Sequence, residues 1–302
     1  MATRRSMERY SAAALAVLGI ACAPIATDGP GCAPIGEAVL LPREIEETSG
    51  IAVRPGRPEV LWTHNDGDSQ LFAIGRDGRK LAQYPLRPRP EDLEDMAAAE
   101  CADGGSCLYF ADTGDNAERR DAGDARVLRV REPDLDGPGV IDLEVFPIRL
   151  PDGPRDIEAI FVLPGERVHL VTKGRNHAIT VYRYPPPLRP DTVTLEEVQR
   201  LTAGPQSLLD QVTGASASAD GSLVAVRTYQ ALAFYRVAGD SLAPLPGGLV
   251  NLRPLQEIQG EGVGLGPDGL VLLTSEGGPL GGPAGLRALR CQAGARAPGA
   301  GA

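Results

Sequence analysis

Three glutamates head three copies of one phrase in this chain. Glu94 opens Glu94-Asp95-Met96-Ala97-Ala98, Glu158 opens Glu158-Ala159-Ile160-Phe161-Val162, and Glu261 opens Glu261-Gly262-Val263-Gly264-Leu265. Two further copies begin with hydroxyl residues, Ser49-Gly50-Ile51-Ala52-Val53 and Thr213-Gly214-Ala215-Ser216-Ala217. Carboxylates gathered at one point raise one another's pKa unless a cation, hydrogen-bond donors or a shared proton relieves them. An all-oxygen set suits Ca²⁺, which accepts six to eight oxygens in flexible geometry, better than it suits zinc or copper. Glu94, Glu158 and Glu261 therefore read as ligands of a divalent cation, Ca²⁺.

A second set of chemically active residues follows each phrase by roughly one hairpin. It reads His64-Asn65-Asp66, Asp112-Thr113-Gly114-Asp115-Asn116, Lys173-Gly174-Arg175, Arg227-Thr228 and Ser275-Glu276. From it His64, Asp66, Asp112, Lys173, Arg175, Arg227 and Glu276 are candidate ligand contacts, with acids outnumbering bases. The competing account is that Lys173 and Arg227 neutralise Glu158 and Glu261, leaving nothing to bind. The Asp112–Asn116 stretch lacks the alternating acids of a helix-loop-helix calcium loop and fits a tight turn. A lone His64 beside Asn65 and Asp66 has the chemistry of a general base, but is more often a hydrogen-bonded turn residue. No nucleophile elbow, phosphate-binding loop or dinucleotide fingerprint is present, and catalytic residues stay unassigned.

The phrases recur at steps of 45, 64, 55 and 48 residues, the period of propellers and other repeat arrays. Each repeat divides into four strands, the content of one blade. Runs such as Leu223-Val224-Ala225-Val226 and Leu270-Val271-Leu272-Leu273 are apolar on both faces and belong between neighbouring sheets. Trp62 is expected in the same setting. The fold class is all-β, a propeller of five four-stranded blades, with six as the alternative because of the 64-residue step. The first strand of each blade lines the axis, so the heads of the phrases converge on one mouth.

The fifth repeat lacks a fourth strand, and the apolar segment Glu37–Pro42 is available to supply it and cover the open edge. An outer strand near 248–255 is expected for the fourth blade. The five cysteines are Cys22, Cys32, Cys101, Cys107 and Cys291. Cys101 and Cys107 flank a turn-rich spacer and are placed to bridge adjacent strands. Cys32 and Cys291 then pair across the seam of the ring, unless all four remain free thiols.

Arg4, Arg5 and Arg9 precede an apolar stretch from Ala12 to Ala23 that is too short to span a bilayer, the layout of an export signal. Gly19 and Ala21 suit cleavage before Cys22, and a cysteine there points to lipid attachment, although Leu18 lies one place beyond the usual lipobox position. The expected organisation is a signal peptide at 1–21, a lipid-anchored linker at 22–36, the propeller at 37–291 and a disordered tail at 292–302. The protein is thus expected to be an exported cell-envelope lipoprotein, held to the membrane through lipid on Cys22, and monomeric. The formal charge of −10 becomes −12 when the leader takes away three arginines and one glutamate, which argues against nucleic acid as a partner.

Asp156-Ile157-Glu158-Ala159-Ile160 and Gly260-Glu261-Gly262-Val263, the latter followed by Pro267-Asp268-Gly269 and Thr274-Ser275-Glu276, resemble the repeats of the phytase-like, or esterase-like, propeller domains of secreted bacterial proteins. Ser49-Gly50-Ile51-Ala52 is similar to their opening repeat, and the likeness spans roughly 46–290. It implies a secreted propeller whose polar axial site binds calcium and acts on a phosphate or carboxylate ester. Glu158, Glu261 and Glu276 match its acidic motif, whereas the fourth repeat departs from it with Thr213. Three readings follow: a lipoprotein that binds a cation and a small-molecule or envelope-polymer ligand, a calcium-dependent ester hydrolase, and a scaffold for protein partners.

Overall fold

The computed structural model describes residues 31–54, 56–137, 139–278 and 282–294. The expected signal peptide and Cys22 lie outside the described residues, as does most of the C-terminal tail.

The chain forms five antiparallel sheets around one axis, a five-bladed β-propeller, so the six-bladed alternative falls away. From axis to rim, blade 1 comprises Thr48–Val53, Val60–Asn65, Gln70–Gly75 and Lys80–Arg87. Blade 2 comprises Leu93–Glu100, Ser106–Asp112, Arg126–Arg131 and Glu144–Arg149. Blade 3 comprises Ile157–Leu163, Arg167–Thr172, Thr180–Arg183 and Glu196–Arg200. Blade 4 comprises Val212–Ala217, Leu223–Thr228, Ala231–Ala238 and Ser241–Asn251, its outer strand earlier than the 248–255 expected. Hairpin turns fall where glycine permits a positive φ, as at Gly78 (77°) and Gly221 (68°).

Blade 5 has only three strands of its own, Gln259–Leu265, Leu270–Glu276 and Gly285–Arg290. The N-terminal segment completes it: Val39 pairs with Leu286, and Ala33 with Arg290. Pairing therefore starts upstream of residue 37, inside the stretch expected to be linker. The Cys32–Cys291 disulfide closes this seam across a sequence separation of 259, and Cys101–Cys107 staples the first hairpin of blade 2. In the loop-entropy account a closure of that length contributes about 5 kcal/mol.

Each second strand serves two neighbours at once. Leu223 and Ala225 enter the cluster between blades 4 and 5, while Val224 and Val226 enter that between blades 3 and 4. Five such apolar clusters, one per blade interface, make up the core among the described residues. Trp62 sits between blades 1 and 2 as expected, and its Nε1 donates to Glu132 Oε1 at 2.8 Å.

The segments 140–149 and 192–200 each divide into two strands. Ile141–Asp142 runs parallel to the rim strand of blade 1, and Val193–Thr194 parallel to that of blade 2, before the chain enters its own blade. Each connection thus covers the preceding blade's exposed edge.

Candidate functional site: an acidic axial mouth

All five innermost strands are bulged at the head of the repeated phrase. In blade 2, Leu93 pairs with Asp112 and Asp95 with Ala111, which leaves Glu94 as the extra residue. The same slip isolates Glu158 in blade 3 and Thr213 in blade 4. In blades 1 and 5 two residues, Ser49-Gly50 and Glu261-Gly262, stand opposite one partner. A bulge breaks strand alternation and re-aims a side chain, here toward the axis.

The freed backbone groups link neighbouring blades instead. Ser49 Oγ donates to the Glu94 carbonyl at 2.5 Å, Thr113 Oγ1 to that of Ile157 at 2.9 Å, and Thr213 Oγ1 to that of Glu261 at 2.9 Å. Asp95 is the hub of this arrangement. Its fully buried carboxylate accepts the N–H groups of Met96, Ile160 and Ala215, joining blades 2, 3 and 4.

Above the hub, carboxylate oxygens of Glu94, Asp156 and Glu158 lie within 4.8 Å of one another, and all three residues are buried. Two oxygens each about 2.4 Å from a single Ca²⁺ can be no more than about 4.8 Å apart, so the spacing fits one ion. Asp156 takes the place that sequence reasoning assigned to Glu261. Its Oδ1 accepts the Asp115 N–H at 3.0 Å, and its buried Oδ2 has no hydrogen-bond partner. Lys173 Nζ bonds Glu158 Oε1 at 2.5 Å and stands 3.9 Å from Asp156 Oδ2; Arg175 reaches the same oxygen at 3.8 Å. Glu261 stands beside the trio, with Oε1 accepting from Gln259 Nε2 at 2.9 Å.

Burial dominates the electrostatics, and neighbouring acids add to it at most of these groups. Burial pushes Glu158 up to about 8 against the pull of Lys173, and burial together with Glu158 and Asp66 drives Glu94 well above the carboxylate range. Glu261 is raised to about 7 by burial. Asp66 reaches about 7 through burial, then Asp92, and Glu276 about 8 through burial, then Glu261 and Asp66. A Cβ on Gly114 would collide with Glu94 Oε1 and Asp92 Oδ2, so that glycine makes room for the crowded carboxylates.

Of the predicted contacts, Asp66, Lys173, Arg175 and Glu276 gather at this mouth with Glu94, Glu158 and Glu261. Asp112 does not. Its buried carboxylate pairs with Arg126 and accepts the N–H groups of Glu91 and Asp92, so it holds the loop carrying Asp92. Arg227 is also structural, because NH1 donates to the Gly262 and Thr274 carbonyls and NH2 meets Glu257 at 2.6 Å. His64 is fully buried against Gly50, bonds the Asn65 carbonyl through Nδ1, and is lowered to about 4 by burial. It is a neutral packing residue.

Sequence reasoning missed Asp92, Asp156 and Tyr229. Asp156 stands two residues before Glu158, just ahead of the innermost strand of blade 3. That signal was present within the Asp156-Ile157-Glu158 motif. Asp92 and Tyr229 are on loops whose position only the closed ring sets.

No protein-family model and no curated protein matches the sequence. Solved structures do match the fold. The PQQ-bound form of aldose sugar dehydrogenase from Streptomyces coelicolor aligns with a TM-score of 0.52 at 13% identity, covering 89% of this chain and 99% of that one. A glucose dehydrogenase aligns at 0.50 and 14% identity (84% and 98% covered), and a luciferin-regenerating enzyme at 0.50 and 9% (86% and 95%). At these identities the likeness is one of architecture, a β-propeller.

Proposed function

We propose that this protein is an exported, envelope-anchored propeller that binds Ca²⁺ through Glu94, Asp156 and Glu158. The ion and the acidic mouth around it then hold a small molecule or an envelope polymer. The observation that carries the reading is the set of three buried carboxylates within one ion's reach, one of whose oxygens, Asp156 Oδ2, accepts no hydrogen bond. Asp66, Glu261 and Glu276 add further acid, against Lys173 and Arg175 as the basic groups touching the trio. The two disulfides agree with an oxidising, exported setting. No helix among the described residues is long and apolar enough to cross a membrane, and lipid on Cys22 is proposed as the anchor.

A calcium-dependent hydrolase of carboxylate or phosphate esters is the second reading. It is favoured by Glu276, which burial and neighbouring acids raise to about 8, so that it keeps a proton at neutral pH for a leaving group. A bound calcium supplies Lewis acidity toward an ester or phosphoryl oxygen. The resemblance to phytase-like propellers points the same way.

Thermal unfolding with calcium and with chelator tests the ion. Calcium at about 100 times its Kd stabilises by roughly 2.7 kcal/mol, which in a protein of this size is a rise of about 5–10 °C. Asp156→Asn and Glu94→Gln are expected to weaken that rise. An equal response in both variants, or none in the wild type, would leave the acids as partners of Lys173 and Arg175 alone, as the scaffold reading requires.

A further inference from the structure

Beside the acidic mouth, between blades 4 and 5, lies a cleft of about 380 Å³. One wall is the short helical turn Leu208–Asp210, the other the segment leading into blade 5 at Ile258, and Tyr229 and Gln259 line it as well. Leu208 is 66% exposed, Leu209 45% and Ile258 67%, so three of the seven exposed large apolar side chains among the described residues border this single depression. A concave apolar wall of this volume is the usual setting of a bound small molecule.

The cleft and the ion site share residues. Gln259 donates to Glu261 Oε1, and Tyr229 is held in its neutral form by burial and by the charges of Glu261, Glu158 and Glu276. Of the charged groups lining the cleft, Glu257 is already engaged by Arg227, and Arg253 interacts with the carboxylate of Asp210. The mouth is acidic, which disfavours an anionic head group, and a neutral carbonyl oxygen would approach it through the ion.

We infer that the cleft seats the aliphatic chain of a neutral carboxylic ester, whose carbonyl oxygen faces the axial carboxylates and their ion. This deepens the proposed function and rests on it for the head group, whereas the chain-binding part rests on the apolar walls alone.

Calorimetric binding of butanol and octanol reads the cleft without the ion, and methyl octanoate with and without calcium reads both. A buried methylene is worth roughly fourfold in affinity, so octanol should bind at least tenfold more tightly than butanol, with or without calcium. Leu209→Ser combined with Ile258→Ser should remove that preference while leaving the calcium-dependent rise in melting temperature as in the wild type. Both positions are exposed, so the double variant is expected to fold. Calcium should strengthen methyl octanoate binding and leave octanol unchanged. Equal affinity for the two alcohols, or a preference that survives the double variant, would overturn the cleft assignment. If the alcohols behave as expected but calcium does not affect the ester, the ion reading fails and the chain site stands.

Discussion

Replacing Lys173 with Met removes the cation that faces the axial acids while keeping most of the side chain's volume. The ammonium is buried, 2.5 Å from Glu158 Oε1 and 3.9 Å from Asp156 Oδ2. Removing one partner of a buried ion pair typically costs about 3–5 kcal/mol, roughly 6–20 °C in melting temperature, once pH is high enough to ionise Glu158. The loss must depend on pH. Glu158 titrates at about 8 in the fold against 4.5 when free, so its contribution is intact below about pH 4.5 and is lost as pH rises through 8. Without Lys173, which holds that pKa down, Glu158 rises further, so the folded state goes on losing stability above pH 8, where the wild type levels off. The variant should therefore follow the wild type's pH dependence up to about pH 7 and fall increasingly below it from there to pH 9 in chelator. Calcium should recover much of the deficit at pH 8 and bind the variant more tightly than the wild type, because it no longer competes with an ammonium group. Calorimetric scans at several pH values, with calcium or chelator, measure all of this. A deficit that ignores both pH and calcium would refute the electrostatic account of the mouth.

Asp95→Ala strands three buried N–H donors in blades 2, 3 and 4 and is expected to cost about 3–5 kcal/mol in chemical denaturation. Asp95→Asn should cost less, because one amide oxygen still accepts, and a near-wild-type Asp95→Ala would show that the hub does not help close the ring. Cys22→Ser should move the protein from the membrane fraction to the soluble one; equal distribution of the two forms would remove the lipid anchor from the proposal.

Much of the architecture was legible because it is written in local pattern. The phrase heads, the two-faced apolar second strands and the missing fourth strand each concern a few adjacent residues. Together they were enough for the blade count, the N-terminal closure and the Cys32–Cys291 pairing. The convergence of Glu94 and Glu158 was legible for the same reason, since equivalent positions of blades meet at the axis.

What the sequence could not settle is where each acid points once the ring has closed. Asp112 and Arg227 have the right residue types at the right strand ends, yet Arg126 and the Gly262 carbonyl claim them because those groups arrive from neighbouring strands. Asp156 replaces Glu261 in the trio because the bulge at Glu158 brings its side chain beside that of Asp156, while Gln259 engages Glu261. Composition, repeat period and strand patterning determined the propeller and its acidic mouth. Which three carboxylates share one ion's reach was decided by bulges and by contacts between blades, which depend on groups far apart in the chain and exist only when all five sheets are in place.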